Sequence, residues 1–331
     1  MNKHSFRRLL LGVLVGGLTL AVPLFQAQAM TVSPVRVELA GDPGKSVGGF
    51  FKVINEEQEA KTLYTVFENF EPMGETGSPS FKTGNEGLAS WITAPKEVTI
   101  APGETKTVDF AVNIPADAEP GGYFAAIFLA TTPPDISGNQ LSIGARVGTL
   151  LLFRVNGDIK EGGALLEFKT KDNNSWYNSL PVNFYYRFQN SGADRVMPKG
   201  SLNIKNIFGM STKVINANLG QGNVLPRSIR RFELWWQKGT DSTIVPELQS
   251  NKLGFFEAAK YQWNNFAFGR YRADLDISYG TKSEKVVSSF VVWVFPWQLL
   301  LIELVGLIIV LVVLGFIIKR YNKWIIRRAR S

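Results

Sequence analysis

The sequence predicts an all-β chain, two sandwiches in series followed by a single transmembrane helix. Three observations carry this: period-two alternation in short apolar runs, Pro-Gly turn signals between them, and one uninterrupted apolar run near the C-terminus. At 331 residues, with 45% hydrophobic and 19% charged content, the chain is long enough for two ordinary domains and is not of disordered composition.

The first element is a leader. Lys3, Arg7 and Arg8 precede an apolar run to about Phe25, and Ala27-Gln28-Ala29 supplies a small-x-small exit, so 1–29 reads as a signal peptide cleaved after Ala29. An uncleaved anchor is the competing reading.

In the segment 30–158, Val108, Phe110, Val112 and Ile114 alternate with polar neighbours, as a half-buried strand requires. The strand 123–129 is apolar on both faces, with Phe124 and Phe128 opposite Tyr123, Ile127 and Leu129, and 148–155 repeats the pattern. A sandwich core covers only one of those faces. The other must meet the second domain, a subunit or an added strand, which makes Phe124 and Phe128 candidate binding residues.

In 159–296, Val182, Phe184, Tyr186 and Phe188 form one alternating set, and Tyr271, Ala273, Leu275, Ile277 and Tyr279 another. An internal repeat links the halves. A strand ending in Asn before a polar turn occurs at Asn55 and at Asn190. Ala101-Pro102 leads into the Val108 strand as Leu225-Pro226 leads into the Phe232 strand. Gly122-Tyr123 corresponds to Gly269-Arg270-Tyr271.

The run 298–318 is apolar except for Glu303 and matches a hydrocarbon core of roughly 30 Å. Trp293, Trp297 and Trp324 flank it, and six Lys and Arg residues follow in 319–331, so the span 297–318 is read as crossing the cell membrane with a cytoplasmic tail and an extracytoplasmic body. Glu303, one turn from the outer boundary, is expected to snorkel.

These features resemble bacterial immunoglobulin-like domains, in which a Tyr near the start of a late strand returns its hydroxyl to the backbone; Tyr123 and Tyr271 are the candidates. The whole order, from leader and SPVRVEL through PGGYFAAIFL and GRYRADLDISYG to FPW, one helix and a basic tail, resembles the WxL-interacting surface proteins. That resemblance implies an outer peptidoglycan-binding domain and an inner domain binding a partner protein. The first half also looks like the N-terminal domain of pilus-assembly chaperones, with SPVRVEL as the opening strand, Arg36 as a strand-end cation and VDFAVNIP as a later strand. A chaperone acting by β-strand complementation is therefore the alternative.

Composition excludes several chemistries. There is no Cys, and the one His, His4, lies in the leader, which removes imidazole and thiolate catalysis, disulfides and zinc sites of the usual ligands. The excess of positive charge sits in the leader and tail, and the body balances, so nucleic acid is not an expected partner. Within the body, 30–158 carries net −7 and 159–296 net +7. Asp274 and Asp276 share a strand face at a spacing glycosidase carboxylates use, but alternation already explains them as solvated. Asp172-Asn173-Asn174 offers oxygen ligands for calcium, yet lacks the Gly and distal Glu of a dedicated loop. No catalytic residue and no cofactor are expected.

Trp235, on the opposite strand face from Phe232, Leu234 and Trp236, is a third candidate binding residue, with Tyr261 and Trp263 in the aromatic insertion that follows. Their rings offer stacking surfaces for sugars or anchors for a protein. The plainer reading, which takes precedence, is that the insertion caps the second core or meets the membrane interface. The expected role is a non-enzymatic membrane-anchored binder of cell-wall polymer or another surface protein.

Overall fold

A computed structural model describes residues 30–84, 86–133, 144–239 and 253–329. The expected leader, 1–29, lies outside the described residues.

The first sandwich contains β1 (Met30–Ser33), β2 (Arg36–Gly41), β3 (Ser46–Asn55), β4 (Lys61–Met73), β5 (Ser78–Lys82), the short helix α1 (Gly87–Trp91), β6 (Ile92–Thr93), β7 (Glu97–Ile100), β8 (Thr105–Asn113), β9 (Gly121–Ala130) and β10 (Arg146–Val155). One sheet runs β1-β3-β8-β6. The facing sheet runs β2-β10-β9-β4-β5, with β7 also on β4. Alternation decides what lies between them: Phe51, Val53, Val108, Phe110, Val112, Ile127, Leu151 and Phe153 point inward into one buried cluster.

The second sandwich contains β11 (Gly163–Thr170), β12 (Trp176–Tyr177), β13 (Val182–Asn190), β14 (Lys199–Lys205), β15 (Ser211–Asn216), β16 (Ser228–Trp236), the helix α2 (Phe255–Asn264), β17 (Gly269–Tyr279) and β18 (Glu284–Val294). Its sheets run β11-β13-β16 and β12-β18-β17-β14-β15. Phe184, Tyr186, Phe188, Leu202, Ile204, Phe232, Leu234, Trp236, Leu275 and Ile277 fill the core between them. The chain is thus all-β with immunoglobulin-like sandwiches and one long C-terminal helix, as the patterning predicts.

The repeat is structural. Asn55, fully buried, donates from Nδ2 to the carbonyls of Glu59 (2.8 Å) and Ile100 (3.1 Å), and its Oδ1 accepts from the N–H of Glu57 (3.0 Å). Asn190, equally buried, does the same with Asp194 (2.7 Å), Val224 (2.9 Å) and the N–H of Gly192 (2.9 Å). Each thus closes the turn after its own strand and ties it to the segment entering the next Pro turn. The tyrosine corners also match: Tyr123 Oη donates to Glu119 O at 3.0 Å and Tyr271 Oη to Phe268 O at 3.3 Å.

Helix α3 (Trp297–Ala329) follows β18 with only Phe295 and Pro296 between them. It is apolar and long enough to cross a membrane, and its side chains project outward from Leu300 to Ile318. It continues past 318, so the basic segment is helical as far as Ala329. The insertion between β16 and β17, which the period-two reading leaves without structure, holds α2. Gln262 on α2, buried, accepts from the Leu299 N–H at 3.0 Å and donates to Gln298, which satisfies one of the orphan donors at the start of α3.

Candidate functional site

Where the sandwiches meet, two loops of the second reach the first, and one hairpin of the first reaches the second. The loop after β13 puts the Ala193 carbonyl on the Gly122 N–H at 2.9 Å, and Asp194 against Arg154 at 3.4 Å. Its neighbour Arg195 pairs with Glu38 on β2 at 3.0 Å. The loop between β15 and β16 brings the Gln221 carbonyl to Arg36 Nη1 at 3.0 Å and Asn223 Nδ2 to Glu38 at 3.3 Å.

The third contact is made by the β4–β5 hairpin, whose turn lies on the sheet containing β16. Glu75 accepts two bonds from Arg187 on β13, from Nε at 2.8 Å and Nη2 at 2.5 Å. Its carbonyl accepts from the Arg231 N–H at 2.9 Å, so the hairpin also occupies the edge of β16. Among the described residues, two of the three cross-sandwich ion pairs thus set an acid of the first half against a base of the second, in line with the charge split; Arg154–Asp194 is reversed.

Between these contacts lies a cleft of about 220 Å3. Phe70, Pro72, Leu150 and Leu152 line it from the first sandwich, and Asn223, Leu225, Ile229 and Arg230 from the second, with Arg36 at its margin. Phe70, Leu150 and Leu152 stand on the outward face of the sheet that carries Phe124 and Phe128.

Arg230 is the unusual member. Alternation on β16 places it on the core-facing side with Phe232, and its guanidinium lies 5.3 Å from the Phe232 ring. Nη1 donates to Asn223 O at 2.8 Å, while Nε is buried without a partner among the described residues. Glycines from both sandwiches pack against it: a Cβ on Gly77 would lie 2.2 Å from its Cζ, and one on Gly222 2.6 Å. Gly77 also holds φ +80°, which favours glycine. Burial lowers the Arg230 pKa from its ordinary value; the nearby charge of Arg36 adds to this and Tyr186 opposes it.

Electrostatics set the carboxylates that hold the cleft. Burial alone would raise Glu38, but Arg195, Arg36 and Asn223 outweigh it and lower its pKa. The Arg187 hydrogen bonds hold Glu75 below the ordinary glutamate value.

The residues expected to bind are not brought together. Phe128 is 9% exposed, stacked edge-on with Phe81 under the Arg146 guanidinium, and Phe124 packs on Phe70. The outward face of β9 is therefore covered largely by Phe70 of β4, Phe81 of β5 and Arg146 of β10. Trp235 is 7% exposed and displays little ring. Tyr261 is half-buried on α2, where burial raises its phenol, whereas Trp263 is 64% exposed on the opposite side of that helix.

Asp274 is paired with Arg272 (2.7 Å) and Lys205 (2.9 Å), so the two strand carboxylates form no dyad. Asp172 accepts from the Asn174 backbone (3.3 Å) and side chain (3.1 Å) and from Tyr177, an internally closed turn. Sequence reasoning missed Arg230, although its signal was present: a cation at a core-facing position of an alternating strand. Glu75 and Arg187 carried no such signal, being 112 residues apart.

No family model matches the chain, and no curated protein matches it. Among solved structures it is similar to the class 5 fimbriae chaperone CfaA, at 11% identity over 79% of this chain and 98% of that one, with a TM-score of 0.38. It is similar also to the Pseudomonas aeruginosa CupB2 chaperone (10%, 79% and 100%, 0.35) and the E. coli chaperone DraB (10%, 79% and 98%, 0.32). The resemblance to WxL-interacting proteins remains one of architecture.

Proposed function

We propose that this chain is a non-enzymatic, membrane-anchored binding protein whose body, domains 30–158 and 159–296, lies outside the cell membrane and holds another envelope component near the bilayer. The observation that carries the reading is the cleft. It joins an apolar floor to the half-buried guanidinium of Arg230, whose Nε has no partner among the described residues, and it is framed by ion pairs that fix one sandwich on the other. Such a site suits a peptide segment with a carboxylate beside an apolar side chain. Wall polymer is the less favoured ligand, because most exposed rings lie on α2 and near α3, with Phe50 on β3, instead of lining a groove.

The test is capture from envelope extract by the full-length chain in detergent, comparing wild type with Arg230→Gln, beside binding to purified peptidoglycan. A tenfold or greater loss of one captured protein supports the cleft. Capture unchanged by the substitution refutes it, and peptidoglycan binding unaffected by the same change would return the polymer reading.

A second reading, assembly of partner chains by strand addition, rests on β15, a sheet edge with no strand on its outer side among the described residues. On β10, by contrast, β2 already occupies Leu150 to Val155. Slowed amide exchange confined to 211–216 in the presence of a partner would favour strand addition.

A further inference from the structure

We infer that the end of the second sandwich nearest α3 is itself a lipid-binding surface, seated in the headgroup region and fixing the body at one height and tilt on the bilayer. This rests on the reading of α3 as a membrane span.

The inference starts from strand register. Lys205 at the end of β14 pairs with Arg272, and on the next strand Arg270 pairs with Trp293. The turn after Lys205 therefore projects past Arg272 to the level of Trp293, four residues before α3 begins. That turn is closed by Asn206, whose Oδ1 accepts from the N–H groups of Phe208 (3.0 Å) and Met210 (3.1 Å). Its apolar side chains are nonetheless turned outward, Phe208 being 78% exposed and Met210 58%.

Helix α2 reaches the same level by a different route. Its Gln262 caps the first turn of α3, and its Phe255 ring lies 5.9 Å from that of Trp297. Ala259 and Gln262 face inward. Phe256, Lys260 and Trp263, at i, i+4 and i+7, face outward, with Phe256 77% exposed. Two rings flanking one ammonium on the outer face of a short helix is the arrangement of a segment lying in the membrane interface.

Elements far apart in sequence thus place exposed apolar groups around the point where α3 starts. From Trp297 to Leu299 is about 3 Å along a helix, whereas the interfacial layer is roughly 5 to 7 Å thick on each side of the hydrocarbon core. A bilayer that takes up α3 from Leu300 onward places these rings in its headgroup region. This continuity with the span selects lipid over a protein partner as the occupant.

The absence of native cysteine allows a direct test on the full-length chain. Single variants Phe208→Cys, Phe256→Cys, Leu307→Cys and Lys52→Cys are labelled with an environment-sensitive fluorophore and reconstituted in vesicles of phosphatidylcholine and phosphatidylglycerol. The vesicles carry a nitroxide at acyl carbon 5 or carbon 12. At positions 208 and 256, quenching of twofold or more by the shallow nitroxide, exceeding that by the deep one, is expected. Position 307 should prefer the deep nitroxide, and position 52 should be unquenched. If 208 and 256 behave like 52 while 307 is quenched, the span stands and the lipid surface is wrong. An unquenched 307 removes both. Shielding of 208 and 256 from aqueous iodide without nitroxide quenching would assign the surface to protein and overturn the proposal.

Discussion

Replacing Asn55 or Asn190 by Ala tests whether the repeat carries stability as well as symmetry. Each substitution removes two donated bonds and one accepted bond at a site with no solvent exposure. At Asn190 the Val224 carbonyl keeps its bond from the Val196 N–H, so the Asp194 carbonyl and the Gly192 N–H bear most of the loss. A buried group left unsatisfied costs about 1 to 3 kcal/mol, which puts each substitution at about 3 kcal/mol once partial relaxation is allowed. For a sandwich of about 130 residues the entropy of unfolding is near 0.27 kcal/mol/K, so the melting temperature should fall by about 10 °C. Differential scanning of the full-length chain in detergent reads this directly. If the sandwiches melt as separate units, Asn55→Ala lowers one transition and Asn190→Ala the other. A shift under about 2 °C for both would show that the turns close without the amides, and the repeat would then be decorative.

Three further outcomes are expected. Glu38 and Glu75 both titrate below the ordinary glutamate value of 4.5, so the stability they lend to the junction is complete above that pH and is lost as pH falls through their lower folded values; increased protease cleavage at 156–162 below about pH 4 would show it. The Glu75 pair is partly exposed and worth under about 1 kcal/mol, so the junction should loosen without global unfolding. Gly77→Ala, which drives a methyl into the Arg230 guanidinium at a left-handed residue, should cost about 1 to 3 kcal/mol and enlarge the body in small-angle scattering, whereas Gly74→Ala, with open space around it, should leave the scattering unchanged. Millimolar calcium should leave the melting temperature unchanged, since the Asp172 oxygens are already used; a saturable shift would reopen that turn as a ligand site.

The strands, their inward faces and the twofold repeat were legible because one residue in two must be apolar and because an Asn at a strand end has one efficient use, closing the turn beyond it. Tyr123 and Tyr271 were legible for the same local reason. Helix α2 was not, since Phe256 and Trp263 face outward and its inward face is made by small or polar residues, Ala259 and Gln262, so no apolar stripe marks a core side. Trp235 follows the alternation correctly and is buried all the same, as are its outer-face neighbours Asn183 and Tyr185 on β13. The cleft was hidden for a different reason. Its contacts join a turn at 74–77 to strands more than a hundred residues later, and only the parity of Arg230 pointed toward it.

The sandwiches and the span together limit how a ligand is held. Strand β17 has 11 residues, about 36 Å at a rise near 3.3 Å per residue, and runs from the α3 end of the second sandwich to the end that meets the first. The cleft therefore lies within about 40 Å of the start of α3. The first sandwich cannot swing away from it freely, because Glu75 grips β13 and β16 from the side while Gly122 and Glu38 are held at the end; opening the cleft breaks both sets of contacts. A cleft of about 220 Å3 admits one or two side chains, well short of a folded domain. On the proposed reading, recognition through it is of a chain terminus or a protruding loop, with an anionic group set against Arg230 and an apolar one against Phe70 and Leu150. If α3 spans the membrane as proposed, a ligand bound this way is held at a fixed distance from the bilayer, because only Phe295 and Pro296 separate β18 from α3.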